Sequence, residues 1–313
     1  MKYFPLGRTG MRVSQISFGA SSLGGVFRSV REQDAIQAVH TALDLGVNYI
    51  DVAPAYGGTK AESVLGKALK GINRSDFYVS TKVGKYTAID GYGKDTFDYS
   101  ADGIRRSLDQ SSERIGVDYF DVVYLHDIEY LDRRHTEWAL LEGLQTLHDL
   151  RAEGRIGAVG IGMYPPDLWQ RVLEKCSIDV GLSHNLYTLQ NNRLLDLLPL
   201  AKARGIGMIN ASPFASGLLT SRGAPVWHPA TPVQRAVFEK AAAFCRACGS
   251  CIEKLALQFS SQHPEIVTTM FSSADPASVK KNIAWSEEPM DVELLLRVHQ
   301  ILEPVANQNW KYS

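Results

Sequence analysis

The chain has 313 residues, 45% of them hydrophobic, and its 33 lysines and arginines against 34 aspartates and glutamates leave a formal net charge of −1. That balance excludes the dense positive field by which proteins hold nucleic acid or an anionic membrane, and it suits a small, neutral or mildly charged ligand. No apolar run reaches the roughly 18 residues of a spanning helix, and the opening MKYFPLGRTG lacks the apolar centre of a secretory signal, so a cytoplasmic protein is expected.

The predicted elements alternate regularly along the chain. Residues 6–15 (LGRTGMRVSQ) predict a hairpin with a Thr-Gly turn, and residues 16–20 (ISFGA) a first buried strand. Residues 32–46 carry apolar side chains at helical spacing and end on a glycine stop, after which 47–53 (VNYIDVA) reads as a strand. The same helix-then-strand unit recurs at 60–71 and 77–83, 99–116 and 119–126, 139–154 and 158–163, 167–176 and 179–187, and 192–205 and 206–213. A long helical stretch over 233–261 precedes strand 265–273, and 276–285 predicts a final helix. Residues 223–232 (GAPVWHPATP) read as a loop over one end rather than as a linker. The pattern predicts one α/β domain over residues 1–313, a (β/α)8 TIM barrel with an N-terminal β-hairpin.

In such a barrel, side chains at the C-terminal strand ends converge on one mouth. Asp51, Tyr56, Lys82 and His126 all stand at or just past those ends. A tyrosine, with an ordinary pKa of about 10, is a poor base at neutral pH unless a cation favours its phenolate. Lys82 is the candidate cation, Asp51 its counter-charge, and His126 a group to orient a substrate oxygen, which together suit alcohol–carbonyl interconversion. Singly, each has a plain structural reading as a cap, a solvated charge or a satisfied strand-end histidine; the common placement is what sets the group apart.

Four cysteines do not make a disulfide framework in a chain of this length. Cys176 stands alone, while Cys245, Cys248 and Cys251 form C-x-x-C-x-x-C, with Leu255 where a cluster-binding pattern has its fourth cysteine. The run falls in a helical pattern along one face, and no metal is expected there. No G-x-G-x-x-G stands between a strand and a helix, so a nucleotide would be held otherwise, by NASPFASGLLT after the seventh strand and FSSADPASVKKN after the eighth, segments that read equally as surface loops.

These segments resemble the aldo-keto reductase superfamily, through LGRTGMRVSQISFGA, IDVAPAYG, STKVG and LHD. Within it the chain resembles the L-galactose dehydrogenase group of aldose dehydrogenases, through SFGASSLGGVF, AYGGTKAESVLGKALKG, LHDIEYLD, INASPFASGLLT, PVWHPATP and ILEPVANQNW. The resemblance implies Tyr56 as general acid/base, Lys82 and Asp51 as its tuning pair, and His126 as the orienting group. It implies a nicotinamide cofactor lying across the mouth, held by Gly19, Ala20 and Ser21 after the first strand and by Ser183 and His184 on the sixth. The same cofactor would meet Ser212, Phe214, Ser216, Gly217 and Leu218 after the seventh strand, and Ser272, Ser273, Ser278, Lys281 and Asn282 after the eighth. Gly162-Met163 replaces the Ser-Asn pair that many relatives carry, and Ala211 replaces a stacking aromatic. Ser272 and Ser278 stand where NADPH-preferring relatives have Lys and Arg, so NAD is expected. Phe27, Tyr86, Tyr130, Trp227 and His228 are candidate sugar contacts on the mouth loops. The reading is NAD-dependent oxidation of an aldose, L-galactose or a relative such as L-fucose, at C1 to the lactone, by a monomer or weak homo-oligomer. An NADPH-dependent carbonyl reductase, a pyridoxal dehydrogenase and a cofactor-binding regulatory subunit are the alternatives.

Overall fold

The computed structural model describes residues 1–26, 28–86 and 96–310. An antiparallel hairpin, β1 (Tyr3–Pro5) with β2 (Arg12–Ser14), comes first. Its turn packs against the start of a later strand so closely that a Cβ on Gly7, whose φ is +53°, would stand 2.4 Å from the Gly207 nitrogen. Leu6, Met11 and Val13 from this hairpin join the inner core of the barrel.

The barrel strands then follow: β3 (Ile16–Gly19), β4 (Tyr49–Asp51) and β5 (Tyr78–Val83). A two-stranded ribbon, β6 (Lys85–Tyr86) with β7 (Thr96–Phe97), interrupts the series. The series resumes with β8 (Phe120–His126), β9 (Ile156–Met163), β10 (Val180–His184), β11 (Gly207–Ala211) and β12 (Thr268–Ser272). The eight pair in parallel and close, β12 meeting β3, into the predicted (β/α)8 barrel. Apolar side chains facing inward, such as Tyr49, Val122, Val180 and Ile209, fill it. A second apolar layer, with Ala38, Val39, Leu65, Leu147 and Trp169, lies between strands and outer helices. Register aligns the strand ends: Gly19 pairs with Asp51, His126 with Gly162, His184 with Ala211, and Ser272 with Gly19. The mouth is therefore assembled from residues up to 251 positions apart in sequence.

Three features differ from the sequence reading. The stretch 233–261 is two helices, Pro232–Ala247 and Ile252–Gln262, because Gly249 turns the chain with φ +72°. Cys245 is buried in the first helix, Cys248 caps its end, and Cys251 caps the start of the next, so the three do not share one helical face. A further helix, Val292–Leu302, follows the one expected to be last and packs Leu294, Val298 and Leu302 on the Pro232–Ala247 helix. Among the described residues no helix is long and apolar enough to cross a membrane, and no group of three His, Cys, Asp or Glu is placed to hold a metal.

Candidate active site

A cavity of about 830 Å³ opens at the C-terminal strand ends, large for a small-molecule site and reaching from Tyr56 to the start of the Pro276–Glu287 helix. Asp51, Tyr56, Lys82 and His126 all line it. Tyr56 follows β4 in a turn held backbone to backbone against the loop after β3: a Cβ on Gly57 would stand 2.2 Å from the Gly24 carbonyl oxygen, and one on Gly24 would stand 2.5 Å from that of Tyr56. Only glycines permit that approach, and it fixes where the phenol points.

Lys82 and Asp51 form a buried ion pair. Ser80 Oγ donates to Asp51 Oδ1 at 2.8 Å, and Lys82 Nζ donates also to the Val52 carbonyl at 3.1 Å. Burial pushes the Asp51 carboxyl upward against the pull of Lys82; burial also opposes the Lys82 ammonium, yet Asp51 and Tyr56 hold its pKa above the ordinary lysine value. The ammonium lies 4.8 Å from the Tyr56 ring centre. Burial nevertheless drives the Tyr56 phenol up to about 12, with Lys82 pulling the other way, so Tyr56 holds its proton in the resting protein. Lys82 acts in the direction that the sequence reading gave it, and burial, which that reading did not weigh, outweighs it.

His126 stands edge-on to Tyr56, ring centres 5.8 Å apart, with its backbone carbonyl fixed by Tyr99 Oη at 2.6 Å. Burial lowers its pKa to about 3, so the imidazole is neutral. A phenol, an ammonium and a neutral imidazole around one point can exchange a proton with an oxygen lodged among them and hydrogen-bond it meanwhile.

The opposite wall is made differently. After β11, Ser212, Ala215, Ser216 and Gly217 have φ of 64°, 47°, 52° and 103°, conformations that keep the backbone close to the cavity at a cost of about 1–3 kcal/mol for each non-glycine residue. After β12, Ser272 accepts the Ser22 N–H at 2.9 Å and the Ser21 hydroxyl at 3.1 Å, tying the first and last loops together. Asp275 caps the Pro276–Glu287 helix, accepting the Ala277 and Ser278 N–H groups and the Ser278 hydroxyl. Lys281 Nζ lies 4.7 Å over the Trp285 ring.

The expected cofactor residues Gly19, Ser21, His184, Ser212, Phe214 and Ser216 line the cavity, as do Gly217, Ser272, Ser273, Ser278, Lys281 and Asn282. Ala20, Ser183 and Leu218 lie behind it: Ser183 takes the opposite pleat from His184, and Leu218 packs with Phe238. Of the sugar candidates, Tyr130 and Trp227 line the cavity and Phe27 lies outside the described residues. Tyr86 is buried with its hydroxyl accepting the Gly84 N–H, and His228 is turned onto Trp310, its Nδ1 accepting the Ala230 N–H. Lining residues that the sequence reading missed include Arg28, Lys85, Asp127, Tyr164 and Glu253. Lys85 and Asp127 each lie within three positions of a residue that it found, and that adjacency was the available signal.

Residues 15–303 match the family model described as Aldo/keto reductase family. The chain belongs to that family. It is 42% identical to L-galactose dehydrogenase of Arabidopsis thaliana over 97% of this chain and 95% of that protein. It is 28% identical to pyridoxal 4-dehydrogenase of Microbacterium luteolum over 92% of this chain and 94% of that one. Its fold matches an aldo-keto reductase from Bacillus halodurans, solved in its holo form, with a TM-score of 0.79 and 26% identity over 99% and 98% of the two chains. This aldo/keto reductase is thus an oxidoreductase of a family that works on small molecules with a nicotinamide cofactor. The residues present fit such a group: the cavity is large, one end carries the proton-handling set, and the other carries hydroxyls and open backbone.

Proposed function

We propose that this aldo/keto reductase oxidises an aldose, L-galactose or a related sugar such as L-fucose, at C1 to the lactone, using NAD⁺. The observation that carries the reading is Tyr56 set against the buried Lys82–Asp51 pair and neutral His126, in a chain 42% identical to an L-galactose dehydrogenase over 97% of its length. The nicotinamide cofactor, when bound, supplies the hydride acceptor. Ser212 to Gly217, Ser272, Ser273 and Asn282 would hold it, with His184 toward the sugar end. His126, being neutral, donates to the C1 oxygen and orients it. Tyr56 takes the C1 hydroxyl proton, and Lys82 stabilises the phenolate while Asp51 keeps Lys82 in place.

NAD⁺ over NADP⁺ is supported at the far end of the cavity. Asp275 already accepts the Ala277 and Ser278 N–H groups and its carboxylate would repel a 2′-phosphate, while Ser272 and Ser278 offer that phosphate no charge; Arg28 and Lys281, which line the same end, are the cations that NADP⁺ would have to recruit. Since burial pushes Tyr56 up to about 12, the phenol is protonated at neutral pH and oxidation, which needs the base, accelerates as pH rises.

The test is formation of reduced cofactor from a panel of L- and D-aldoses with NAD⁺ and NADP⁺ between neutral and alkaline pH. The expected result is fastest turnover of L-galactose or a close relative with NAD⁺, rising toward alkaline pH. Absence of turnover on every aldose would overturn the sugar reading, and equal kcat/KM for both cofactors would overturn the cofactor choice. Similarity to pyridoxal 4-dehydrogenase supports a second reading, oxidation of pyridoxal, which the same assay decides.

A further inference from the structure

Beside the acid–base set, the cavity holds a second lysine–aspartate pair, which the chemistry above does not use. Lys85 Nζ donates to Asp127 Oδ2 at 2.5 Å, both side chains lining the cavity and 13% and 19% exposed. Lys85 is pinned from its other side, its Nζ 3.8 Å over the centre of the Tyr130 ring. Asp127 has φ +51°, a left-handed backbone that residues other than glycine seldom take, and donates its N–H to the Gly162 carbonyl at 2.9 Å. That bend turns its carboxylate into the cavity immediately beyond His126, whose Nε2 lies 3.7 Å from Asp127 Oδ2.

The chemistry of the patch selects a ligand. An ionised carboxylate has about four acceptor directions, and Lys85 fills one at Oδ2. The ammonium has three donors, and one faces Asp127. Glu129, two residues further along, is buried with Oε1 receiving the Tyr164 N–H, and burial, with Asp127 nearby, pushes its carboxyl upward. The patch therefore offers paired, oppositely charged acceptor and donor groups with no net charge between them. Such a pair fits a neutral vicinal diol: one hydroxyl donates to the aspartate while its neighbour accepts from the lysine. The separation also suits an aldose, because oxygens on adjacent ring carbons lie about 3 Å apart, and with His126 Nε2 3.7 Å from Asp127 Oδ2 one sugar can reach both groups through neighbouring oxygens.

We infer that Asp127 and Lys85 form a diol-reading clamp that selects polyhydroxylated substrates by binding the hydroxyls next to the reacting carbon, the C2 hydroxyl at Asp127. The inference deepens the aldose reading and rests on it for the identity of C1. It separates from that reading in a binding measurement that needs no turnover.

The experiment titrates a hydroxylated aldonolactone and δ-valerolactone, which has the ring without the hydroxyls, into the protein saturated with NADH. It uses wild type, Asp127→Asn and Lys85→Met, with a thermal melt of each to confirm folding. In the wild type the hydroxylated lactone binds at least tenfold more tightly than valerolactone. Each variant loses at least ten times more affinity for the hydroxylated lactone than for valerolactone. Steady-state kcat/KM with an aldose and its 2-deoxy analogue gives the parallel readout: the wild-type preference for the C2 hydroxyl shrinks at least tenfold in Asp127→Asn. Equal losses on both lactones would overturn the clamp and make Asp127 a positioning residue for His126. A wild type that does not distinguish the lactones would overturn it without any variant, so misfolding of Asp127→Asn cannot shelter it. Tight, hydroxyl-dependent lactone binding without aldose turnover would uphold the clamp and overturn the sugar-oxidation reading alone.

Discussion

The two walls of the cavity are built on opposite plans. The wall from β4, β5 and β8 is made of charged and titratable side chains, packed to a few per cent exposure and held by fixed partners, as with Asp51, Lys82 and His126. The wall from β11 and β12 is made of serines, alanines and glycines, with left-handed backbone at Ser212 and Ser216 and a helix start already capped by Asp275. Proton transfer needs charges held in place and out of water, where burial decides their pKa values. An extended ligand needs room and hydrogen-bonding groups close to the backbone, which small residues leave free. The first wall concentrates free energy in a few groups; the second spreads it over many weak contacts.

Substitutions on the two walls should therefore fail in different ways. Tyr56→Phe should lower kcat about 10²- to 10⁴-fold, as loss of a general acid/base does, while cofactor binding followed by fluorescence stays close to wild type. Retained turnover would remove Tyr56 from the chemistry. Lys82→Met should damage the fold as well as the rate, because it strands the Asp51 carboxylate in the interior; urea unfolding should show a loss of about 3–5 kcal/mol. Adding Asp51→Asn should restore much of that stability and none of the activity, and a double variant as unstable as the single one would refute the pairing. On the other wall, Gly217→Ala places a side chain at φ 103° and 3.1 Å from the Ala224 Cα. About 1–3 kcal/mol of strain should appear mainly as a raised KM for the cofactor, and a fall confined to kcat would erase the distinction between the walls. Trp227→Ala, at the half-exposed rim, should have the smallest effect, a rise in sugar KM of about two- to tenfold from about 0.5–1.5 kcal/mol of lost aromatic contact, measured by initial rates.

Much of this could be read before any coordinates. Alternating helix and strand periodicity was enough for the barrel, because each strand is buried on both faces and each helix on one, and both facts mark the local sequence. The four proton-handling residues were legible because each follows such a strand and strand ends share one mouth. The tyrosine and histidine of the loops were not: Tyr86 and His228 lie in mouth segments as expected, but Tyr86 turns to Gly84 and His228 to Trp310. The glycine that divides 233–261 into two helices was missed because an apolar helical repeat continues across it, and the extra helix over Val292–Leu302 was missed although Pro289 and the Asp291 cap mark its start.

By itself, the sequence determined the architecture and which chemical groups gather at the barrel mouth, since strand and helix patterning is local and burial enforces it. Only the tertiary structure decided what those groups do to one another. Burial overrides Lys82 and keeps the Tyr56 phenol protonated, and it makes His126 neutral. A left-handed turn at Asp127 closes a second ion pair with Lys85 beside the first. Desolvation and side-chain direction arise from packing between segments far apart in the chain, and no local pattern encodes them.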